Sequence, residues 1–500
     1  MRLFSVATSG DRASALELLP CLWQFGRDRN APNRETASGW LRKGLFHMAK
    51  SEIGAIILAA GMGTRMKSAR HKVLHAVGGR AMILHLFDSL NRLGASKLVL
   101  VVGALKEQLE EALPDAEFAI QDPPLGTGHA VLAARDALAG FAGDILILYG
   151  DVPMVRAETM SRMIEALHER DDTALVVLGF TPRDPAQYGR LVVAKNKSAD
   201  GALEAIVEFR EATADQRRIR LCNSGIMAVK GALLFDLLEK VDNQNAKGEY
   251  YLTDIVAIAR GQGRGAVAVE ASEEEVMGIN SRAELAEAEA IFQAERRTEA
   301  MEAGVTLLDP ATVYFSHDTV LGKDVTIGPS VFFGPGVTIH DRVMIHAFSH
   351  LEGAEVGEGA SVGPFARLRP GAHIKAGAKV GNFVEIKKAV IEEGAKVNHL
   401  AYIGDARIGK GANIGAGTIT CNYDGFNKHF TDIGEGAFIG SNTALVAPVT
   451  IGDGAIVGAG SVVTKDVAAN ALAVTRAAHT EKEGWAEKFR HRNAKNDPES

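Results

Sequence analysis

Gly61 and Gly63, followed by Thr64, Arg65 and then Lys72, are the first residues along the chain with types and spacing that suit chemistry. Glycines let main-chain N–H groups close around an anion, and two nearby cations add fixed charge, so the segment suits a phosphate. It is neither of the two common phosphate loops. The last glycine of a dinucleotide fingerprint and the Gly-Lys-Ser/Thr end of a P-loop are both missing. Far downstream, His399 stands in Asn398-His399-Leu400-Ala401-Tyr402-Ile403-Gly404-Asp405. Histidine titrates near neutrality and can act as a general base. A histidine on a repeat serves structure as readily as catalysis, so the residue types alone leave its role open.

Two unlike kinds of sequence must position these groups. Ala55-Ile56-Ile57-Leu58 is a continuous apolar run entering the glycine loop, which reads as a buried parallel strand. Runs at Leu98–Val102, Ile145–Tyr149 and Ala174–Leu178 alternate with helical patterns at Ala81–Leu93 and His129–Leu138. That alternation predicts an α/β domain with a mainly parallel sheet, its ligands at the carboxyl ends of the strands. From Val362 to Val463 the pattern changes: Val362, Leu368, Ile374, Val380 and Ile386 recur at every sixth position, as do Ile433, Ile439, Leu445, Ile451, Val457 and Val463. A period of six fits neither a helix nor a single strand, and predicts a solenoid of short strands and tight turns. The repeats look less regular before Val362, slip by one residue at Ile386–Ile391 and Ile403–Ile408, and are interrupted at Cys421–Asp432 by what reads as an extruded loop. Between the halves, Ser281 as N-cap with Glu284 three residues on predicts one long helix to about Ala303.

These signals place an amino-terminal extension at 1–47, an α/β domain at 48–282, a linker helix at 283–303 and the solenoid at 304–500, with a frayed polar tail from about 477 in which Trp485 is expected to dock. The extension makes a poor secretory signal, because charges and Pro20 interrupt its short apolar run, and the working protein is expected to start near Met48. A length of 500 residues agrees with several domains. The net charge of −7 gives no reason to expect nucleic acid or an anionic membrane as partner. Cys21, Cys222 and Cys421 are too scattered for a disulfide framework or a zinc site, which points to a reducing compartment. No apolar run reaches the ~18 residues of a membrane span.

Leu58-Ala59-Ala60-Gly61-Met62-Gly63-Thr64-Arg65-Met66 with Lys72 resembles the signature of sugar-1-phosphate nucleotidyltransferases. Gln121, Leu125-Gly126-Thr127-Gly128-His129-Ala130, Tyr149-Gly150-Asp151-Val152-Pro153, Tyr188-Gly189-Arg190, Glu208, Asn223-Ser224-Gly225 and Gly248-Glu249-Tyr250-Tyr251-Leu252-Thr253-Asp254 follow in the same order. With the six-residue repeats added, the chain from about Met48 to Trp485 resembles the bacterial bifunctional N-acetylglucosamine-1-phosphate uridyltransferase/glucosamine-1-phosphate acetyltransferases.

The resemblance implies a Rossmann-like α/β nucleotidyltransferase domain joined by a long helix to a left-handed parallel β-helix. It also implies a cytoplasmic homotrimer making UDP-N-acetylglucosamine for cell-wall and lipopolysaccharide synthesis. Leu58, Ala59, Ala60, Gly61, Gly126 and Thr127 would hold uracil and ribose, with Gln121 on the base edge and Tyr149 and Gly150 beside them. Gly189, Glu208 and Asn223 would hold the N-acetylglucosamine moiety, and Asp151 and Asn280 would ligate Mg²⁺. Arg65 and Lys72 would neutralise the triphosphate of UTP. His71 stands where the family usually has proline, which is expected to loosen the loop without removing the Lys72 charge.

In the solenoid, the resemblance makes His399 the base that takes a proton from the sugar amine as it attacks acetyl-CoA. Arg369 and Lys387 would clamp the sugar phosphate of glucosamine-1-phosphate, with Tyr402 and Asn413 facing the sugar. Asn422 and Tyr423 would position substrate at the extruded loop beside the acetyl-CoA groove of Ala416, Ser441, Ala459 and Arg476. Glu385 is expected to orient His399 or the amine. The residues alone leave open a single-activity nucleotidyltransferase whose solenoid only oligomerises or binds an effector.

Overall fold

The first strand starts two residues before the first apolar run. The structure, a computed structural model, describes residues 51–61, 63–103, 105–194, 202–245 and 247–494. The expectations for the 1–47 extension and for a start near Met48 lie outside those residues, as does Met62 of the glycine loop. Strands β1 (Ile53–Leu58), β2 (Lys97–Val102), β3 (Glu117–Ile120), β4 (Asp144–Tyr149), β5 (Thr173–Phe180), β6 (Arg190–Val193), β7 (Leu203–Val207), β8 (Cys222–Lys230) and β9 (Gly265–Ala271) form one sheet. Its order is β9-β5-β8-β4-β1-β2-β3, with the β6–β7 hairpin attached to β8. β1 is parallel to both β2 and β4, whereas β8 runs antiparallel to β4 and β5. The central strands are buried on both faces (Ile56 and Ile57, Val99 and Leu100, Ile145 and Leu146), which is why they read as unbroken apolar runs.

The helix expected at His129–Leu138 begins earlier, at Thr127, and stops at Ala133, with a separate 3-10 turn at Asp136–Leu138. Its start is set by Gly126, at φ +115°, where a side chain would collide with the main chain of Tyr250.

The linker helix spans Arg282–Glu302. The Ser281 hydroxyl accepts from the Glu284 N–H at 3.3 Å, while the Glu284 carboxylate reaches back to the Asn280 N–H at 2.6 Å. The helix is fastened at both sides. Glu289 accepts from the Gly78 N–H at 2.7 Å, on the small hairpin of the α/β domain. The buried Gln293 amide donates to the Phe315 carbonyl at 2.7 Å and accepts from its N–H at 2.8 Å, on the first coil of the solenoid. No helix among the described residues is long and apolar enough to cross a membrane.

From Thr306 to Ala473 the chain winds into a left-handed parallel β-helix. One parallel sheet has ten strands, and the other has fourteen in two rows that merge through the longer strands Glu385–Ile391 and Tyr402–Ile408. Each row turns one branched residue inward, as with Ile386, Ile403, Ile408 and Ile439 at 0% exposure. Burying such a side chain contributes roughly 1.5–3 kcal/mol. The step of six is already regular before Val362, correcting the expectation: Ile327, Phe333, Ile339, Ile345 and Leu351 are all buried. The slips at 386–391 and 403–408 arise where Lys388 (φ +45°) and Asp405 (φ +46°) bend one continuous strand around a corner. The extruded loop lies between strands Ile419–Cys421 and Thr431–Ile433. Within the exposed tail, Trp485–Ala494 form a helix, where Trp485 stacks on Phe489 at 5.1 Å and is 54% exposed.

Candidate active sites

At the carboxyl ends of β1 and β4, the glycine loop, Asp151 and the helix starting at Thr127 enclose a cleft of two compartments. The first, about 330 Å³, is lined by Leu58, Ala59, Ala60, Gly61, Lys72, Gln121, Gly126, Thr127, Tyr149 and Asp151 among others. The second, about 360 Å³, is lined by Gln187, Glu208, Phe209, Asn223 and Lys247 among others, and shares Thr127, Tyr149 and Glu249 with the first. Both are of small-molecule size. The structure thus brings together the residues expected for the nucleotide and those expected for the sugar, with Tyr149 on the divide. Gly150 lies behind the wall, packed on Ile83 and Val73. Gly189 faces Glu208: a side chain there would come 3.4 Å from its Oε1. Arg65 is not among the lining residues; it is exposed on a 3-10 turn at Thr64–Met66.

Burial, helped by the Asp151 and Glu208 carboxylates, raises the Tyr149 hydroxyl far above its ordinary pKa, so it remains a neutral donor. Burial, followed by the charge of Glu211, also raises Glu208. Gln121 donates to the Gly126 carbonyl at 2.9 Å, which fixes its amide. The loop before Lys72 is tied down despite lacking proline. His71 has φ −55°, within proline's range, its N–H donates to Gln108 Oε1 at 2.7 Å, and Gln108 donates to the Ala69 carbonyl at 2.9 Å.

Lys72 Nζ stands 2.5 Å from Asp151 Oδ2 and 3.0 Å from Asn280 Oδ1. The Asp151 carbonyl also receives the Ile279 N–H at 2.9 Å, which brings Asn280 alongside. A carboxylate and an amide oxygen therefore converge on a single positive charge. Such hard oxygen donors fit a small divalent cation that keeps waters and substrate phosphates as its remaining ligands. Among the described residues there is no group of three or more His, Cys, Asp or Glu able to hold a metal without such help.

On the β-helix, His399 is exposed at a corner, beside a groove of about 430 Å³ lined by Gly363, Pro364, Phe365, Gly381, Asn382, Phe383 and Asn398. Its Nδ1 lies 2.7 Å from Asn382 Oδ1. A carbonyl oxygen needs Nδ1 as donor, which leaves Nε2 with a free lone pair facing solvent. Glu385, expected to orient His399 or the amine, makes no hydrogen bond to His399: its carboxylate accepts from Arg369 at 2.8 Å. Asn382, which sequence reasoning missed, takes that role through the pairing Asn382↔His399 on neighbouring coils.

Carrying the same register upward (Lys396↔Asn413↔Phe438↔Ile456) places Ala416, Ser441 and Ala459 in one row above His399. Arg476 closes this row by donating to the Ala459 carbonyl at 2.5 Å. Arg369 and Lys387 lie on adjacent coils of the fourteen-stranded sheet, with Tyr402 paired to Glu385 there. Asn413 belongs to the ten-stranded sheet, so one chain does not put it beside those three. Asn422 is buried at the base of the extruded loop, where its amide donates to Asp405 at 2.5 Å, whereas Tyr423 is 57% exposed with the Lys428 ammonium 4.1 Å from its ring centroid. Phe365 and Phe383 of the groove continue into a stack with Phe348, at 4.9 and 5.0 Å. All three have positive φ, a strain of ~1–2 kcal/mol each that the stacking offsets in part.

A nucleotide-sized cleft on an α/β sheet, joined to a β-helix with a poised histidine, defines a two-domain transferase. The MobA-like NTP transferase domain family matches residues 55–220, and the bacterial transferase hexapeptide (six repeats) family matches 318–353 and 430–465. The bifunctional protein GlmU of Paramagnetospirillum magneticum is 58% identical over 447 residues, covering 89% of this chain and 98% of that protein. That of Rhodospirillum rubrum is 60% identical over 440 residues (88% and 98%), and that of Rhizorhabdus wittichii 61% over 445 (89% and 98%). The chain belongs to the bifunctional GlmU family. Membership calls for a divalent metal at the nucleotidyl site, and the hexapeptide domain points to an oligomer.

Proposed function

We propose that the chain makes UDP-N-acetylglucosamine in two steps, acetylating glucosamine-1-phosphate on the β-helix and joining the product to UTP in the α/β cleft. Supporting this is the pairing of a two-compartment cleft, sized for a nucleotide beside a sugar, with a histidine whose Nε2 is free. In the first step the sugar amine attacks the thioester carbonyl, Nε2 of His399 takes the amine proton, and the CoA thiolate leaves. Asn382 holds the imidazole in the tautomer that can accept. Arg369 and Lys387 clamp the phosphate. The row of Ala416, Ser441, Ala459 and Arg476 holds acetyl-CoA, with Asn422 shaping and Tyr423 presenting the adjacent loop.

In the second step a phosphate oxygen of N-acetylglucosamine-1-phosphate attacks the α-phosphorus of UTP, and pyrophosphate leaves. Lys72 and Arg65 offset the phosphate charge, so catalysis is mainly positioning and electrostatic. Leu58 to Gly61, Gln121, Gly126 and Thr127 orient the uridine, while Gly189, Glu208 and Asn223 orient the sugar. Mg²⁺ held by Asp151 and Asn280 would supply charge neutralisation on the phosphates.

We assign the working form as a cytoplasmic homotrimer. The half-exposed stack of Phe348, Phe365 and Phe383 beside His399 offers apolar surface for a second copy. Asn413, on a different sheet from Arg369, Lys387 and Tyr402, is then supplied to the site by a neighbouring subunit.

Mass spectrometry of products from purified protein with Mg²⁺, UTP, acetyl-CoA and glucosamine-1-phosphate, omitting each in turn, tests both steps. UDP-N-acetylglucosamine is expected only in the complete mixture, with N-acetylglucosamine-1-phosphate accumulating without UTP. Product from pre-acetylated sugar alone would reduce the β-helix to a scaffold.

A further inference from the structure

Arg190 heads the largest fully buried side chains among the described residues, at 2% exposure. Removing a guanidinium from water costs several kcal/mol unless its donors are met. Here both terminal nitrogens are met by main chain, one donating to the carbonyls of Pro185 (3.2 Å) and Tyr188 and the other to that of Ala186 (3.2 Å), while the buried Nε is left without a partner. One charge thus gathers three carbonyls of a single four-residue turn, in which Ala186 has φ +34°. The guanidinium also lies 5.5 Å from the centroid of Phe209.

The position of Arg190 in the sheet gives this arrangement its consequence. It pairs with Val207 on β7 and with Cys222 on β8. The residues next in sequence to those two, Glu208 and Asn223, both line the second compartment of the cleft. Gly189 precedes Arg190 directly and accepts the Asn223 N–H at 2.8 Å. Gln187, inside the turn that Arg190 gathers, and Phe209, against which it lies, line the same compartment. Gln187, Glu208, Phe209 and Asn223 of that compartment therefore all lie within one residue of a contact or strand partner of a single buried cation outside the lining.

We propose that Arg190 is the positioning residue that sets the shape of the sugar compartment and with it the choice of sugar phosphate, a role that rests on the uridylyl-transfer reading of the cleft. It touches no substrate. It holds Gly189, Glu208 and Asn223 in mutual register by drawing the 185–188 turn onto β6 and bracing Phe209.

Full-length Arg190→Met and Arg190→Lys chains test this by uridylyl-transfer kinetics with each substrate varied in turn. In Arg190→Met the KM for N-acetylglucosamine-1-phosphate rises by about tenfold or more, the scale of one charge-assisted hydrogen bond, while the KM for UTP stays within about twofold. The preference for the N-acetylated over the un-acetylated sugar phosphate falls in the same variant. Arg190→Lys keeps the charge but cannot span three carbonyls, and recovers part of the loss. Acetyl transfer by the same preparations stays at the wild-type rate and reports an intact chain. If Arg190→Met does not fold, Arg190→Lys alone still reads the KM split. Both KM values rising together, or a lower Tm with both KM values intact, would overturn the assignment and leave Arg190 merely structural. A wild-type chain that turns over no sugar phosphate at all would instead overturn the uridylyl-transfer reading beneath it.

Discussion

The two sites are assembled in opposite ways. In the α/β domain, residues from the ends of several strands face inward around one cleft, and a single fold encloses both of its compartments together. On the β-helix the interior is filled with stacked aliphatic residues, so chemistry can only be mounted on the outside, in rows along a corner. A cleft is complete within one chain; a row on a convex wall needs another surface opposite it. The exposed phenylalanine stack and the separation of Asn413 from Tyr402 are what that difference looks like in this molecule.

Replacing His399 by Ala gives the largest expected effect: acetyl transfer falls by ~10²–10⁴, while uridylyl transfer from pre-acetylated sugar is unchanged. Equal loss of both activities would show that the two regions are not independent. Asp151→Asn is the mirror experiment, with uridylyl transfer down by ~10²–10³ and acetyl transfer retained. Retention of both rates would remove Asp151 from the charge-handling role.

The junction between the regions comes next. Gln293→Ala strips partners from both the N–H and the carbonyl of Phe315, at a cost of about 2–4 kcal/mol, read as a lower denaturant midpoint of the full chain. An unchanged midpoint would mean that the helix does not couple the two folds.

The smallest effect concerns Glu208. Because burial raises its pKa, the folded state holds that proton more tightly than the unfolded chain, and ionised Glu208 costs stability above the raised value. Glu208→Gln should therefore raise Tm slightly at pH of about 8, and the gain should fade as pH drops toward the usual carboxylate range near 4. The same variant should bind the sugar phosphate more weakly, and a gain that grew on acidification would reverse the sign argued for Glu208.

Most of the cleft was legible in the sequence because strand–loop–helix order puts motif residues at strand ends, wherever the rest of the chain goes. Arg65 is not among the lining residues: spacing cannot tell that the 3-10 turn after Gly63 leaves it exposed while Lys72 meets Asp151. The solenoid was legible as a period but not as a set of contacts. Coils differ in length, with partners 17 residues apart at Asn382 and His399, 18 at Lys323 and Asp341, and 25 at Arg407 and Asp432. No fixed offset therefore names the neighbour of His399, and Glu385 was as reasonable a choice as Asn382. The early repeats were obscured for a related reason: Phe333 fills an inward position by stacking on Phe315, where the pattern sought a branched aliphatic residue.

The Lys72 ammonium between Asp151 and Asn280 bears on what happens between turnovers. A cleft that presented bare acidic oxygen donors would be left with an unbalanced charge each time product departed, and would relax or capture whatever cation was at hand. Here the chain carries its own counter-ion on a flexible stem. The cation that balances Asp151 therefore belongs to the chain itself.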